Sequence, residues 1–422
     1  MSPLHPLPDG WAIKPLGDPG LARINPAYSL TGGPYPFVPM DAVENNFGGI
    51  AYFDTVNEAS GGYSRFKEGD ILFAKITPCS ENGKIALIEC IGEKLCLGST
   101  EFHVISPAKG VDGRFLYYLF SSGYVHRLTV SLMEGTTGRQ RIPASIFKKR
   151  LAVPVPLDES EQQRIASIIG AVDSAIAATK ASIEAAQKLK KGLMQNLLTG
   201  RLKPDGTWRR EDEFYTDQKF GRIPKRWTAR PLKTFGEIIT GRTPPPADEG
   251  NYTTKGYCFI TPGDLGNDKF VTYSERYISS KGLRLSPTIA SGALCVVCIG
   301  STIGKIGITT SECCTNQQIN SLVPNSKTAV EFLFYKLFLE CERLKQYAGI
   351  NATPQINKGQ FAKYKIVAPE DKSEQIAIAS KLGQLSTLEE SKQVKIVTLQ
   401  KLKKSLMQNL LTGKVRVLMK ED

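Results

Sequence analysis

Polar, glycine-rich loops in both halves of the chain carry side chains that can make specific hydrogen bonds. An arginine can pair with a guanine edge and an asparagine or glutamine with an adenine edge, each pair being worth about 1–3 kcal/mol of discrimination. Lysine and arginine can also hold phosphates, although ordinary surface turns use the same residue types. The candidate nucleic-acid-binding residues are Lys84, Arg139, Gln140, Arg141, Arg242, Thr243, Ser301, Thr302, Lys305, Thr353, Gln355 and Lys358.

Methyl transfer is a second candidate chemistry. Asn25-Pro26-Ala27-Tyr28 resembles the Asn-Pro-Pro-Tyr/Phe box with which adenine methyltransferases grip the target amine, but its third position differs. No glycine-rich strand-to-helix turn for the methyl donor precedes it, and Phe47-Gly48-Gly49, which follows it, lacks the strand and helix that such a turn needs. The sequence therefore argues against methyl transfer by this chain.

The sequence also gives little indication of a hydrolytic or an ATP-driven activity. Asp264 with Asp268 and Lys269 has the residue types of a nuclease, but solvated loop charges are the simpler account. The sequence contains no Gly-x-x-x-x-Gly-Lys-Ser/Thr loop to cradle a nucleotide phosphate. We expect no catalytic residues and no bound cofactor in this chain.

Four cysteines raise the possibility of a zinc site. Cys295 and Cys298, followed by Cys313 and Cys314, could supply four thiolates. However, residues 294–299 have the pattern of a buried strand, in which Cys295 and Cys298 would point to opposite faces. We therefore expect small buried cysteines and no metal.

The elements that position these residues occur twice. Residues 189–200 and 402–413 differ only at Gly192 and Ser405, so the chain is a tandem duplication. Two equivalent units suit a partner with two-fold character, and duplex DNA is the obvious candidate. Further matched pairs include Ser160-Glu161-Gln162 with Ser373-Glu374-Gln375, Gly170 with Gly383, Gly83-Lys84-Ile85 with Gly304-Lys305-Ile306, and Ile142 with Ile356.

Each copy ends in a long helical pattern. Asp158 can cap the first helix and Gly200 can stop it. Its apolar residues recur at steps of four and three, which is the seam of a helix that packs on another helix over roughly 60 Å. We expect the two helices to pair as an antiparallel coiled coil, although each could instead only seal its own domain. The seam residues are Ile165, Ile169, Val172, Ile176, Ile183, Leu193 and Leu197, and Ile378, Leu382, Leu385, Ile396, Leu399, Leu406 and Leu410.

The predicted fold is α/β (α+β): two tandem globular domains, each followed by a long helix. Within the first domain we expect strands at residues 70–74 and 85–88 and a helix over residues 113–128. The domain boundaries are 1–157 for the first globular domain, 158–200 for the first helix, 201–222 for a linker, 223–370 for the second globular domain, 371–413 for the second helix and 414–422 for a tail.

Composition limits the class of protein. The chain has 422 residues and a net charge of +13, which favours a polyanionic partner. The nine cysteines are scattered, and this fits a reducing cytoplasm better than a disulfide framework. No stretch approaches the ~20 apolar residues of a membrane span, and the N-terminus does not resemble a signal peptide. We expect a cytoplasmic protein.

Taken together, these patterns resemble the specificity subunits of type I restriction-modification systems. The resemblance rests on the duplication, the Leu-Met-Gln-Asn-Leu-Leu-Thr-Gly helix ends, the entry from Gly221 to Trp227, and residues 259–265 and 303–305. The first domain departs from the pattern, with residues 77–84 where the second domain has the more usual 300–305. It therefore resembles a different subtype of target-recognition domain.

The resemblance implies a non-catalytic, DNA-binding subunit in which each target-recognition domain reads one half of a split site in double-stranded DNA. The helices would set the gap between the halves and dock two methylation subunits. Those subunits would carry S-adenosylmethionine for DNA methylation at adenine N6, whereas separate restriction subunits would carry ATP and Mg²⁺. We expect no membrane partner. The alternatives are a specificity subunit of a type II fused methyltransferase-nuclease and a coiled-coil scaffold that binds no DNA.

Overall fold

The computed structural model describes residues 6–30, 32–59, 61–89, 91–92, 94–136, 138–266, 268–349 and 354–417. Contacts divide the chain into two compact units. The first consists of residues 1–180 with 394–422, and the second of residues 181–393. Each unit contains one globular domain together with a segment of each long helix.

Two four-stranded sheets form the first globular domain. One sheet is antiparallel throughout, and its strands lie in the order Ala22–Ile24, Phe102–Pro107, Ile71–Ala74 and Ile85–Leu87. The other is mixed, and its order is Asp54–Val56, Tyr35–Val38, Cys96–Gly98 and Ser64–Phe66. The strands expected at 70–74 and 85–88 are thus observed in the antiparallel sheet.

A separate strand pair brings the two ends of the first domain together. Trp11–Pro15 runs antiparallel to Ala152–Pro156, and Trp11 lies opposite Pro156. The helices of this domain are Gly113–Ser121, Gly123–Ser131 and Ser145–Lys149, with a 3-10 turn at Met40–Ala42.

The single helix expected over residues 113–128 is instead two helices. Ser122 has an extended backbone, with φ −60° and ψ 139°, and its side chain accepts a hydrogen bond from the backbone N–H of Val125. A serine that caps the next helix in this way ends the preceding one. Apolar periodicity alone did not reveal the break because both helices bury the same kind of face, including Phe115, Leu119 and Val125.

The second globular domain repeats this plan with more strands. Its larger sheet has the order Gly236–Thr240, Ile319–Pro324, Leu294–Val297, Ile306–Thr309 and Phe270–Val271, the last pair being parallel. Its smaller sheet has the order Tyr252–Thr253, Tyr277–Ile278, Tyr257–Ile260 and Cys313–Thr315.

A strand pair closes this domain as well. Trp227–Pro231 runs antiparallel to Lys365–Pro369, and Trp227 lies opposite Pro369. A hairpin of Phe214–Asp217 with Gly221–Pro224 precedes it. The helices are Ser280–Leu283, Val330–Leu339, Cys341–Tyr347 and Lys358–Lys363, and the 3-10 turns are Glu211–Glu213, Leu232–Thr234, Glu249–Asn251 and Pro262–Asp264.

The two long helices have equal lengths of 39 residues each: the first long helix is Glu159–Leu197 and the second long helix is Lys372–Leu410. Asp158 and its counterpart Asp371 each accept a hydrogen bond from the backbone N–H two residues further on, at 3.0 and 2.8 Å. Gly200 and Gly413 follow the helix ends with φ of 72° and 73°, a conformation that glycine adopts without strain.

Every predicted seam residue is buried or half-buried. The helix ends also complete the two domain cores. Ile165, Ile169 and Leu410 belong to the core of the first unit. Leu197, Ile378 and Leu382 belong to the core of the second. The ends of both helices therefore seal the two globular domains.

Among the described residues, the first long helix is long and apolar enough, by length and composition, to cross a membrane, with a mean hydropathy of 1.2 in its most apolar window. This is weak evidence for a membrane span, because its two ends are packed into domain cores. The helix is better explained as a packed helix with an exposed, alanine-rich face.

Candidate nucleic-acid interface

Several polar residues of the first domain lie where the strands of the antiparallel sheet end. This end of the sheet is called the first reading edge, and its polar residues are Asn25, Lys75, Lys84, Glu101 and Arg141. Asn25 follows a strand directly, and the N–H of Ala74 donates to the carbonyl of Lys84 at 3.0 Å. The N–H of Lys75 donates to the carbonyl of Glu101 at 3.0 Å. The strand ends of the sheet thus bring loops that are distant in sequence to one place.

A short hairpin projects from the first reading edge. Glu134 and Arg141 exchange two backbone hydrogen bonds of 2.8 Å each and so form its base. Arg139 lies exposed in its loop, and the carbonyl of Gln140 accepts from the N–H of Thr77 at 3.1 Å. The hairpin presents Arg139 and Arg141 on a backbone that the sheet holds in place.

The guanidinium group of Arg141 is held by a carboxylate. Its Nη2 donates to Oε1 of Glu101 at 2.7 Å, while the arginine side chain remains 65% exposed. The other oxygen of Glu101, Oε2, is buried and has no hydrogen-bond partner among the described residues. Arginine has five N–H donors, so this one bond leaves most of them available to a ligand.

Asn25 and His103 form a closed network under this edge. Burial lowers the pKa of His103, which favours the neutral ring. Its Nε2 donates to the carbonyl of Ile142 at 2.6 Å, and its Nδ1 accepts from the Asn25 amide at 3.0 Å. The Asn25 carbonyl oxygen accepts from the N–H of Val104 at 2.9 Å. Both ends of the Asn25 side chain are thus used internally, which argues further against the methyltransferase-like role.

The second domain builds a matching edge, here called the second reading edge, at the ends of Gly236–Thr240 and Leu294–Val297. The N–H of Gly241 donates to the carbonyl of Ile319 at 3.2 Å, and the hydroxyl of Thr243 donates to Oε1 of Gln317 at 2.8 Å. A Cβ on Gly241 would lie 2.1 Å from Oγ1 of Thr315, so only glycine fits there. The loop of Arg242 and Thr243 is therefore packed directly against residues 315–317.

Two further loops join the second reading edge. The N–H of Gly300 donates to the carbonyl of Pro354 at 2.9 Å, and Ile299 forms a β-bridge with Gln355. Ser301 and Thr302 lie in the turn that follows Gly300, and Lys358 begins the helix after Gln355. Of the predicted residues of this domain, Arg242, Ser301, Gln355 and Lys358 have exposed side chains, and Thr353 lies outside the described residues.

Arg141 and Gln355 occupy equivalent positions. Arg141 forms a β-bridge with Ile76, just as Gln355 does with Ile299. Each precedes a buried isoleucine whose N–H donates, in both cases at 2.8 Å, to a strand-end carbonyl, that of Lys75 or that of Cys298.

A polar side chain fixes the same isoleucine in both domains. The carbonyl of Ile142 accepts from His103, and that of Ile356 accepts from Nδ2 of Asn320 at 3.3 Å. Sequence reasoning matched Ile142 with Ile356 but missed His103 and Asn320, because different side chains do this work in the two domains.

Lys84 and Lys305 are also equivalent, and both are half-buried. The ammonium group of Lys84 donates to the carbonyl of Met40 at 2.7 Å, and that of Lys305 to the carbonyl of Pro262 at 3.4 Å. Both carbonyls lie at the start of a 3-10 turn. Each lysine thus holds a loop of its own domain in place at the reading edge. An ammonium group has three N–H donors, so two remain available to a ligand.

Two of the three residues considered for a nuclease, Asp264 and Lys269, have structural roles, and Asp268 is exposed. Oδ2 of Asp264 accepts from the N–H and the hydroxyl of Thr261, both at 2.8 Å, and Oδ1 accepts from the N–H of Glu275 at 2.9 Å. Lys269 forms an ion pair with Glu331 at 2.6 Å. These contacts make a capped turn and a half-buried ion pair.

The four cysteines considered for zinc are buried free thiols. Cys295 and Cys298 belong to different clusters of buried residues, as expected for opposite faces of a strand. Burial raises the pKa of both thiols to about 11, which disfavours the thiolates that bind metal. Over the part of the chain that the structure describes, no group of three or more His, Cys, Asp or Glu residues could hold a metal ion.

Each unit also contains a clamp that sequence reasoning missed, made of a tryptophan, a glutamate and an arginine. In the first clamp, Glu161 accepts from Nε and Nη2 of Arg416 at 2.7 and 2.9 Å and from Nε1 of Trp11 at 3.3 Å. The clamp fastens the segment after the second long helix to the start of the first long helix.

The second clamp repeats this arrangement. Glu374 accepts from Arg209 and, at 3.1 Å, from Nε1 of Trp227, while Nη1 of Arg209 caps the carbonyl of Gly200 at 2.8 Å. Arg209 and Glu374 are both largely buried. The duplicated Ser-Glu-Gln sequence thus supplies the acid of each clamp.

Ion pairs connect the two long helices within each unit. In the first unit, Lys403 contacts Asp173 at 2.6 Å, and Asp173 also accepts from the hydroxyl of Tyr118 at 3.0 Å. In the second unit, Lys190 contacts Glu389 at 2.8 Å, and Lys392 contacts Ser182. Glu389 and Lys392, which interrupt the apolar pattern of the second long helix, are therefore used as contacts to the first.

Comparison with known proteins places these features in a family. The sequence model of the type I restriction modification DNA specificity domain matches residues 8–188 and 224–399. The EcoAI specificity subunit of a type I restriction enzyme from Escherichia coli is 31% identical over 198 residues, which span 45% of this chain and 33% of that protein. The chain thus spans well under two thirds of the length of this relative.

A putative type I restriction enzyme specificity subunit, MjaX of Methanocaldococcus jannaschii, is 24% identical over 91% of this chain and 88% of its own length. Among solved structures, the HsdS subunit from Thermoanaerobacter tengcongensis has a TM-score of 0.52 with 20% identity, covering 98% of this chain and 99% of that one. That structure shares the fold, with its mixture of helices and sheets. The family match extends over both halves, and the chain belongs to the family of type I restriction-modification DNA specificity domains.

Proposed function

We propose that this chain is the specificity subunit of a type I restriction-modification complex, in which each reading edge binds one half of a bipartite site in double-stranded DNA. The observation that carries the proposal is the repetition of one polar edge in two domains, with Arg141 and Gln355 at equivalent positions. A net charge of +13 supports a polyanionic partner. Lys84, Arg139 and Gln140 join Arg141 on the first edge, and Arg242, Thr243, Ser301, Thr302, Lys305 and Lys358 join Gln355 on the second; Thr353 is proposed as a contact from its sequence alone.

The two long helices, in this proposal, form an antiparallel coiled coil that sets the gap between the half-sites. The support is the burial of the seam residues and the ion pairs Lys403–Asp173 and Lys190–Glu389. Their remaining apolar surface would dock two methylation subunits, to which restriction subunits bind in turn. Exposed apolar side chains on the helices are Leu189, Ile376, Leu388, Val394, Val397 and Leu402.

We propose further that the chain is not itself catalytic. S-adenosylmethionine would be held by the methylation subunits, and ATP with Mg²⁺ by the restriction subunits, in the cytoplasm. The internal roles of Asn25 and Asp264 support this division. The family match favours a type I system over a type II fused enzyme or a scaffold that binds no DNA.

Mapping of adenine methylation tests this proposal. The chain should be produced together with the methylation subunit encoded beside it, and N6-methyladenine should be mapped across the host genome. We expect one split motif, methylated on both strands with a fixed gap. Exchange of residues 1–157 for those of a relative should change one half of the motif only. A stable complex that methylates no split motif would contradict the proposal.

DNA binding should weaken steeply with salt. Neutralised phosphates release counterions, so a protein with 6–10 phosphate contacts loses about 10³- to 10⁵-fold in affinity between 50 and 200 mM salt. The substitution Arg139→Gln should reduce the slope of log Kd against log salt by about one, because this exposed arginine is free to meet a phosphate. Fluorescence anisotropy with a labelled duplex measures both.

Arg210→Gln provides the control for this measurement. Arg210 is also an exposed arginine, but it lies in the connector between the domains and pairs with Asp212 at 3.3 Å. Its replacement should leave the slope unchanged. If Arg139→Gln leaves the slope of log Kd against log salt unchanged, or if Arg210→Gln reduces it by the same amount, Arg139 is not shown to contact a phosphate and the prediction is wrong.

A further inference from the structure

The two reading edges differ in the chemistry of one matched pair of side chains. The N–H of Lys75 donates to the carbonyl of Glu101 at 3.0 Å, and the N–H of Cys298 donates to the carbonyl of Gln318 at 2.7 Å. Glu101 and Gln318 are therefore equivalent, as are Arg141 and Gln355. The first edge presents an arginine braced by a carboxylate, whereas the second presents two primary amides.

Arg141 is better fixed than the neighbouring Arg139. Its backbone exchanges two hydrogen bonds with Glu134, and its guanidinium is bonded to Glu101. Its neighbours Gln140 and Ile142 make the backbone bonds that pair it with Ile76 at the strand end. Base recognition needs donors that are already positioned, whereas a phosphate contact tolerates a mobile charge. Gln355 shares the pairing with a strand end, through its bridge with Ile299, and its side chain is exposed.

We infer that Arg141 reads a guanine in one half-site and that Gln355 reads an adenine at the equivalent position of the other, with Glu101 positioning the guanidinium of Arg141. Arginine matches the two acceptors on the major-groove edge of guanine, and a primary amide matches the donor and acceptor of adenine. The inference rests on the proposed function, because it assumes that the reading edges bind duplex DNA.

Glu101 acts through Arg141 in this scheme. One carboxylate oxygen accepts from Nη2 at 2.7 Å and the other is buried, so the carboxylate is itself held by the protein and restricts where the guanidinium can lie. Gln318 cannot do the same for an arginine: its side-chain oxygen accepts from Asn316 at 2.9 Å, and it carries no charge. An arginine placed at 355 therefore needs a glutamate at 318 as well.

Exchange of the pairs between the edges tests the inference. The double variant E101Q/R141Q should change one position of one half-site from G·C to A·T, and Q318E/Q355R should make the opposite change in the other half-site. The readout is the motif obtained by mapping N6-methyladenine with the reconstituted methylation complex. At the affected position we expect the preference for the original base pair to fall by about 5- to 150-fold.

Single variants distinguish a role of Glu101 in positioning Arg141 from a role in the stability of the fold alone. E101Q should relax the preference at the same base pair as R141K and leave the other half-site and the gap unchanged. A general loss of stability would instead lower methylation of the whole motif without relaxing the preference at one base pair. Competition between duplexes that differ only at that base pair provides the same information from purified protein. R114Q is the matched control, because Arg114 pairs with Glu89 at 2.7 Å and is 67% exposed, close to the 65% of Arg141.

Arg114 is a suitable control because of its place in the fold. Glu89 follows the strand Ile85–Leu87, in which Leu87 lies opposite Ile71, whereas the reading edge is at the other end of that strand. R114Q should therefore leave the motif unchanged.

Two outcomes would overturn the inference: an R141Q complex that methylates the unchanged motif at a uniformly lower level, or a relaxed position that is not G·C in the parent motif. Either result leaves the proposed function standing. Absence of any split motif with the parent chain would instead contradict the proposed function.

Discussion

Replacement of Glu374 by alanine should lower the free energy of unfolding of the second unit by about 3–5 kcal/mol. The loss of one partner of a buried ion pair leaves the other charge without compensation. Arg209 is only 9% exposed, so its guanidinium could not recover full hydration. The indole N–H of Trp227 would lose its acceptor at the same time. Urea unfolding followed by circular dichroism measures the change.

Two comparisons define the cause of this effect. Glu211→Ala removes an exposed ion pair of the same unit, Glu211 with Arg222 at 2.6 Å, and should cost about 0–1 kcal/mol. Glu161→Ala breaks the first clamp, where Arg416 is 36% exposed, and should cost about 1.5–3 kcal/mol, as expected for charged hydrogen bonds. If Glu374→Ala destabilises no more than Glu211→Ala, the second clamp is not a stabilising element.

The clamps also show where sequence analysis stops. The duplication revealed Glu161 and Glu374 as matched residues, but not their partners. Arg209 lies in the charged connector and Arg416 in the tail, at different distances from Gly200 and Gly413, so no alignment of the two copies brings them together. Their partners are 165 and 255 residues away along the chain, and periodicity carries no information about such pairs.

The helices and the strand ends were easier to predict, because local signals determine them. Asp158 and Gly200 delimit the first long helix in the sequence, and the observed helix runs between them. The loops of Arg242 and Gln355 were recognised as polar and glycine-rich. That they meet at one sheet end depends on strand register, which only the structure provides.

At the first reading edge, too, residue types could be predicted from the sequence but contacts between distant residues could not. Arg141 was a candidate by residue type alone, whereas the contribution of Glu101 depends on a contact across 40 residues. The Gly-Lys-Ile repeat correctly matched Lys84 with Lys305. It did not reveal that each lysine donates to a carbonyl of its own domain, because a charge pattern does not distinguish a solvated lysine from a tethered one.

The insertion of one helical turn into both long helices should lengthen the gap between the half-sites. Ser182 and Lys392 are in contact, so four residues placed after each would extend the helices at facing positions. The mapping of N6-methyladenine measures the new gap. Insertion into one helix alone is the control: it puts the two seams out of register and should reduce methylation without producing a new fixed gap. An unchanged gap in the double insertion would rule out the helices as the element that sets it.

The size of the change follows from the geometry of both partners. A turn of helix rises about 5.4 Å, and a base pair about 3.4 Å, so length alone allows a gap longer by one or two base pairs. Rotation decides between them. Four residues at about 100° each turn a helix about 40° past a full turn. One base pair turns DNA by about 35° and two turn it by about 70°. A gap longer by one base pair keeps each reading edge facing its groove, and we expect that result.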